Sequence, residues 1–104
     1  MDNIDYLKNK FKDYRKEDII FTSHANIQAF IRQIDLEEVK NNISNPIKLV
    51  FVRKQISNNP NHEKFDCYFA YNKILYHRYI IDINAKIIIV TLIKINRDWQ
   101  KSIG

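Results

Sequence analysis

Apolar positions in the first 45 residues recur with a period near 3.6. Ile4, Leu7, Phe11 and Tyr14, with Lys, Asp and Glu on the opposite side, predict an amphipathic helix within 3–16. Residues 17–22 are too β-branched and aromatic to continue it and read as a short extended piece. Thr22 or Ser23 can N-cap a second helix within 23–34. There Ile27, Phe30, Ile31 and Ile34 stand at i, i+3, i+4 and i+7, a stripe expected to face the core. Asp35 opens a third helix, 35–44, as the cap for the amide three residues on, with Glu38 in the reciprocal place. Leu36, Val39 and Ile43 share one face, and Asn45-Pro46 ends the helix because the residue before proline is pushed out of the α region.

After Pro46 the period falls to 2. Residues 47–53 alternate as a strand, 57–62 read as a loop, and Phe65, Cys67, Phe69 and Tyr71 interleave with Asp66, Tyr68 and Ala70. Asn72-Lys73 fits a turn, residues 74–83 a third strand, Asn84-Ala85 a second turn and residues 86–95 a fourth strand. The pattern predicts an α+β fold, with two or three N-terminal helices packed on one face of a four-stranded antiparallel sheet and the other face open for a ligand. A two-residue turn at Asn72-Lys73 would set Cys67 across from Arg78 and Tyr68 across from His77; a longer turn reverses the faces.

At 104 residues the chain forms a single domain, 1–104, and 45% apolar with 28% charged residues is ordinary globular composition. Cys67 is alone and cannot form an intrachain bridge, which favours a cytoplasmic protein over a disulfide-stapled one. The strongest apolar run, Ile87 to Ile93, is far short of a bilayer span, and Met1 to Asp5 offers no hydrophobic signal core, so no membrane role is expected. Isoleucine (19), lysine (12) and asparagine (12) dominate the composition, so single Lys and Asn positions carry little weight. Charge is placed unevenly. Residues 1–45 hold 7 Lys/Arg against 8 Asp/Glu, while residues 46–104 hold 10 against 4. A basic half with Tyr, Phe and His among its cations suits a phosphate backbone and exposed bases.

Much chemistry is excluded by what the chain lacks. One Cys and three His (24, 62 and 77) make no zinc-ligand spacing, and a lone glycine at 104 leaves no Gly-rich loop to cradle a nucleotide, so neither metal nor cofactor is expected. Cys67 falls on an apolar alternation and reads as a packed thiol. There remain His24, His77, Arg32, Arg78, Arg97, Lys94, Tyr68, Tyr76 and Tyr79. Such a set can cut RNA, which carries its own nucleophile in the 2′-hydroxyl. The protein has only to move protons and hold developing negative charge.

Residues 20–99 carry a motif. His24-Ala25, Arg32, Ile34, Glu37, Val39, Asn45-Pro46 and the 87–92 strand with its basic tail resemble domain-of-unknown-function family 4258, itself similar to RelE/ParE-like toxins. Gln28 and Gln33 depart from it, standing where the family often has arginine and glycine. The resemblance implies a helix pair on a four-stranded antiparallel sheet and toxin-like RNA cleavage. The expected function is a metal-independent endoribonuclease of a toxin–antitoxin pair. Its partners would be RNA, ribosome-bound mRNA included, and an antitoxin protein. His24 is the acid/base candidate, Arg78 and Arg97 stabilise the phosphate, and Lys54, Lys64 and Lys94 bind the backbone. The alternatives are a non-catalytic nucleic-acid- or protein-binding module of the same fold, and a ParE-like inhibitor of a protein target such as gyrase.

Overall fold

A computed structural model of the chain describes residues 3–96; Arg97 and the segment after it lie outside the described residues. The order is α1 (Asn3–Phe11), a 3-10 turn (Lys16–Asp18), β1 (Ile19–Phe21), α2 (Ser23–Arg32), α3 (Leu36–Ser44), β2 (Leu49–Gln55), β3 (Glu63–Ala70), β4 (Leu75–Ile83) and β5 (Ile87–Asn96). The α+β class and the period change at Pro46 stand. β2, β3, β4 and β5 pair antiparallel in turn, as the alternation predicts.

The sheet has a fifth strand, which corrects the expected four. The extended piece before Thr22 becomes β1 and pairs parallel to β5, with Ile19 opposite Ile87 and Phe21 opposite Ile89, giving the order β1-β5-β4-β3-β2. Three residues of β-branched and aromatic sequence are too few to announce a strand alone. Pairing on the isoleucine-rich β5 decides it. The first helix ends at Phe11 rather than 16, yet Tyr14 still closes on the sheet, its hydroxyl donating to the Asn84 carbonyl at 2.6 Å.

Helix α2 starts as expected, Thr22 Oγ1 accepting from the Ala25 amide at 3.0 Å, but its apolar stripe faces the wrong way for a core. Ala25 and Ala29 are the buried pair, while Ile27, Phe30 and Ile31 are exposed, Phe30 to 88%. The cause is the unpaired edge of β5 beyond the short β1. The Gln28 Oε1 accepts from the Leu92 amide at 2.8 Å, and Arg32 Nη1 donates to the Leu92 carbonyl at 2.9 Å. Two side chains thus stand in for the missing strand. Only small residues on that face let the helix lie close enough, and unpaired edge groups are costly to bury. Of the predicted stripe only Ile34 enters the core. The chain gets it there through Gln33, which caps α2 in the left-handed region (φ 55°, ψ 48°) while the Ile34 amide bonds back to the Ala29 carbonyl. Glycine is the residue least strained there.

Helix α3 is capped by Asp35, whose side chain accepts from Glu37 N at 2.9 Å, two residues on rather than three. It buries Val39, Asn42 and Ile43 against the sheet. The core joins these to Leu7 and Phe11 of α1 and to Phe65, Cys67, Phe69, Tyr79, Ile81, Ile83, Ile87, Ile89 and Leu92 of the strands. Among the described residues no helix is long and apolar enough to cross a membrane.

Candidate nucleic-acid interface

The turn between β3 and β4 settles the register that the sequence left open. Tyr71 and Asn72 amides both donate to the Leu75 carbonyl, so the loop is longer than two residues. Cys67 therefore faces Tyr79, and Tyr68 faces Arg78. Since side chains alternate along a strand, Phe51, Arg53, Lys64, Asp66, Tyr68, Tyr76, Arg78, Ile80 and Asp82 share the face opposite the helices. A bulge between Leu49 and Phe51 brings Phe51 onto that face.

The face is a lattice of cations and rings. Asp66, 2% exposed, receives two bonds from one guanidinium: Arg78 Nε to Oδ1 and Nη2 to Oδ2, both 2.6 Å. This pairing raises the Arg78 pKa further above its usual range, hydrogen bonding to Asp66 outweighing the cost of burial. The same guanidinium lies 5.7 Å from the Tyr68 ring, and Arg53 lies 6.0 Å from Phe51. Phe51 and Tyr68 meet edge to face at 5.4 Å. Burial, then the Asp66 charge, pushes the Tyr68 hydroxyl pKa up, and the side chain is 6% exposed. At one end of the face His62 Nδ1 lies 3.1 Å from Asp82 Oδ1 and 3.2 Å from Oδ2, next to Lys64, the cross-strand neighbour of Asp82. A carboxylate on one ring nitrogen fixes the imidazole and leaves the other outside that contact. Among the described residues no three His, Cys, Asp or Glu side chains gather as metal ligands.

The predicted site residues are dispersed. Arg78 and Lys64 lie on this face. His24 is exposed in the first turn of α2, alongside β1 and β5. Lys54 pairs across from Phe65 and points to the helix side, 4.0 Å from Glu63. Lys94 is the cross-strand neighbour of His77, also on the helix side. Arg97 lies outside the described residues. Sequence reasoning passed over Arg53, Phe51 and the His62–Asp82 pair. The alternation Phe51-Val52-Arg53 signals the first two. The 20-residue separation of His62 and Asp82 gives no local signal.

A second polar group lies under the helices. His77 is 3% exposed, stacks on Tyr71 with ring centroids 4.1 Å apart, and neither ring nitrogen has a partner. Burial, then Lys94 and Lys48, pulls its pKa down to about 4, so the ring is neutral at pH 7. A buried unpaired polar group of this kind costs about 1–3 kcal/mol.

Comparison of the chain with protein-family models, with curated proteins and with solved structures finds no match.

Proposed function

We propose that the sheet face opposite the described helices binds single-stranded RNA and that the protein is a toxin-like, metal-independent endoribonuclease. The observation that carries this reading is the interleaving of Arg53, Arg78 and Lys64 with Phe51 and Tyr68 on the one sheet face that the described helices leave free. Bases stack on aromatic rings and guanidinium planes, and phosphates take the cations. Arg78 spends two of its five N–H donors on Asp66, so it is held in place with three left for a phosphate. In the cleavage step His62, held by Asp82, takes the proton of the attacking 2′-hydroxyl. That oxygen bonds to the adjacent phosphorus, the 5′-oxygen leaves with a proton taken from water, and Lys64 and the arginines hold the added charge. An antitoxin partner and a cytoplasmic setting belong to the same proposal.

A second reading is favoured by one observation. Asp66 already neutralises the central guanidinium, which suits a non-catalytic RNA-binding module better than a phosphate-activating site. One experiment separates the two. Single-stranded RNA is titrated at two salt concentrations, and RNA and its 2′-deoxy counterpart are incubated with the protein in excess chelator. Salt-sensitive binding is expected, with the slope reduced by about 1 in Arg53→Ala. Cleavage should be confined to the 2′-hydroxyl substrate, falling about 10²–10⁴-fold in His62→Ala and persisting in His24→Ala. Loss in His24→Ala with retention in His62→Ala would return the acid/base role to α2. Binding without cleavage supports the module. No binding at low salt refutes both.

A further inference from the structure

β2 is the outermost strand at one end of the sheet, and no described strand pairs with its outer edge. An open edge is a row of backbone donors and acceptors ready for another extended chain. Around it, Ile56 is 94% exposed and Ile47 74%, with Val50 also in solvent. These large apolar side chains stand at both ends and along the length of the strand. From residue 46 to residue 62 the chain holds Lys48, Arg53 and Lys54 and no acidic residue; the carboxylate nearest in sequence is Glu63, 4.0 Å from Lys54.

We propose that the β2 edge receives an extended acidic segment of a partner protein, which adds to the sheet as a sixth strand. Backbone pairing supplies a ladder about 4.8 Å outside β2. Apolar side chains of the segment cover Ile47, Val50 and Ile56, and its carboxylates meet Lys48 and Lys54. Charge decides the occupant. A second copy paired through β2 would bring together two edges that both carry Lys48, Arg53 and Lys54 and no acidic residue, and like charges facing each other across strands destabilise the pair. The inference concerns the sheet's edge, not its open face, and stands whether or not the protein binds RNA.

The probe is a capped peptide alternating glutamate and valine, matched to the 7 residues of β2, beside the same peptide with lysine in place of glutamate. Amide hydrogen exchange of the full chain is followed by NMR, with circular dichroism on every variant. The acidic peptide should slow exchange of amides within 49–55 and leave β1 unchanged, and the lysine peptide should do neither. Lys48→Glu combined with Lys54→Glu should weaken binding by about tenfold or more. Ile56→Lys, beyond the strand end, should weaken it in a variant whose fold is not at stake. Equal binding of both peptides, protection mapping away from β2, or no binding would overturn the proposal. So would β2 protection that grows with protein concentration alone, which assigns the edge to a second copy. The same β2 protection produced by an RNA oligonucleotide would assign it to nucleic acid.

Discussion

Strand β4 meets two different environments on its two sides. Tyr79, Ile81 and Ile83 point under the helices, where apolar packing dominates and the Tyr79 hydroxyl meets a neutral amide, Asn42 Nδ2, at 2.9 Å. Burial pushes the Tyr79 pKa far up, so it is always protonated there. On the other side Arg78 grips a carboxylate that is almost fully buried, although no described helix lies above it. A pair of apolar residues of similar size would be as stable or more so, because ions pay a desolvation cost that their attraction only partly returns. The covered face is therefore explained by packing. Packing alone does not explain the ionic centre of the other face, which under the proposed function presents Arg78 to RNA.

The sharpest way to break that contrast is to remove one ion and then both. Arg78→Ala should destabilise the protein by about 3 kcal/mol, since it leaves the Asp66 charge buried and unpaired. The partial exposure of Arg78 puts this at the lower end of the usual range. Arg78→Met combined with Asp66→Leu should restore most of that loss and abolish RNA binding to the face. Urea unfolding of both variants measures it. A single-variant loss under about 1 kcal/mol would show that water reaches Asp66 and that the two faces are less different than their exposures indicate.

The covered face answers to a smaller test. Tyr79→Phe keeps the ring, which stacks on Phe69 at 4.6 Å, and deletes only the acceptor of the Asn42 amide. The expected loss is about 1–2 kcal/mol, the cost of one buried donor left unpaired. Asn42→Leu added to Tyr79→Phe should return part of it. If Tyr79→Phe is neutral, the hydrogen bond contributes nothing net, and apolar packing alone accounts for this face.

The elements that were legible in the sequence are those whose side chains alternate or recur against one partner. β3, β4 and β5 read correctly because Phe65, Cys67, Phe69, Tyr79 and Ile81 face one core. The α2 stripe misled because the helix packs on a sheet edge. There backbone groups of Leu92 call for Gln28 and Arg32, and the close approach calls for alanine rather than isoleucine. β1 was hidden because three residues become a strand only against a distant partner. Of the site, Arg78 and Lys64 could be picked by charge, but which face each takes depended on a turn closed by Tyr71 and Leu75, one residue longer than the Asn72-Lys73 pair suggests. The His62–Asp82 contact joins two elements and leaves no pattern within either.

The smallest expected effect concerns His77, which blurs the contrast between the faces by sitting unpaired on the packed side among the described residues. His77→Phe preserves an aromatic ring against Tyr71 and removes two unsatisfied nitrogens, so it should stabilise the fold by about 1 kcal/mol at pH 7. It should also change the pH dependence. In the unfolded chain His77 takes a proton near pH 6.5, whereas in the fold it does so only near 4. Between those values the unfolded state binds more protons, so stability is complete above about pH 6.5 and falls as the pH drops toward 4. Below 4 both states are protonated and this contribution changes no further. Urea midpoints of wild type and variant, measured in steps from pH 7 to pH 4, should diverge across that window, the wild type losing more. Parallel curves would mean that His77 keeps its ordinary affinity for protons in the fold. The ring would then be in contact with solvent, and the packed face would include a polar opening beside Lys94 and Lys48.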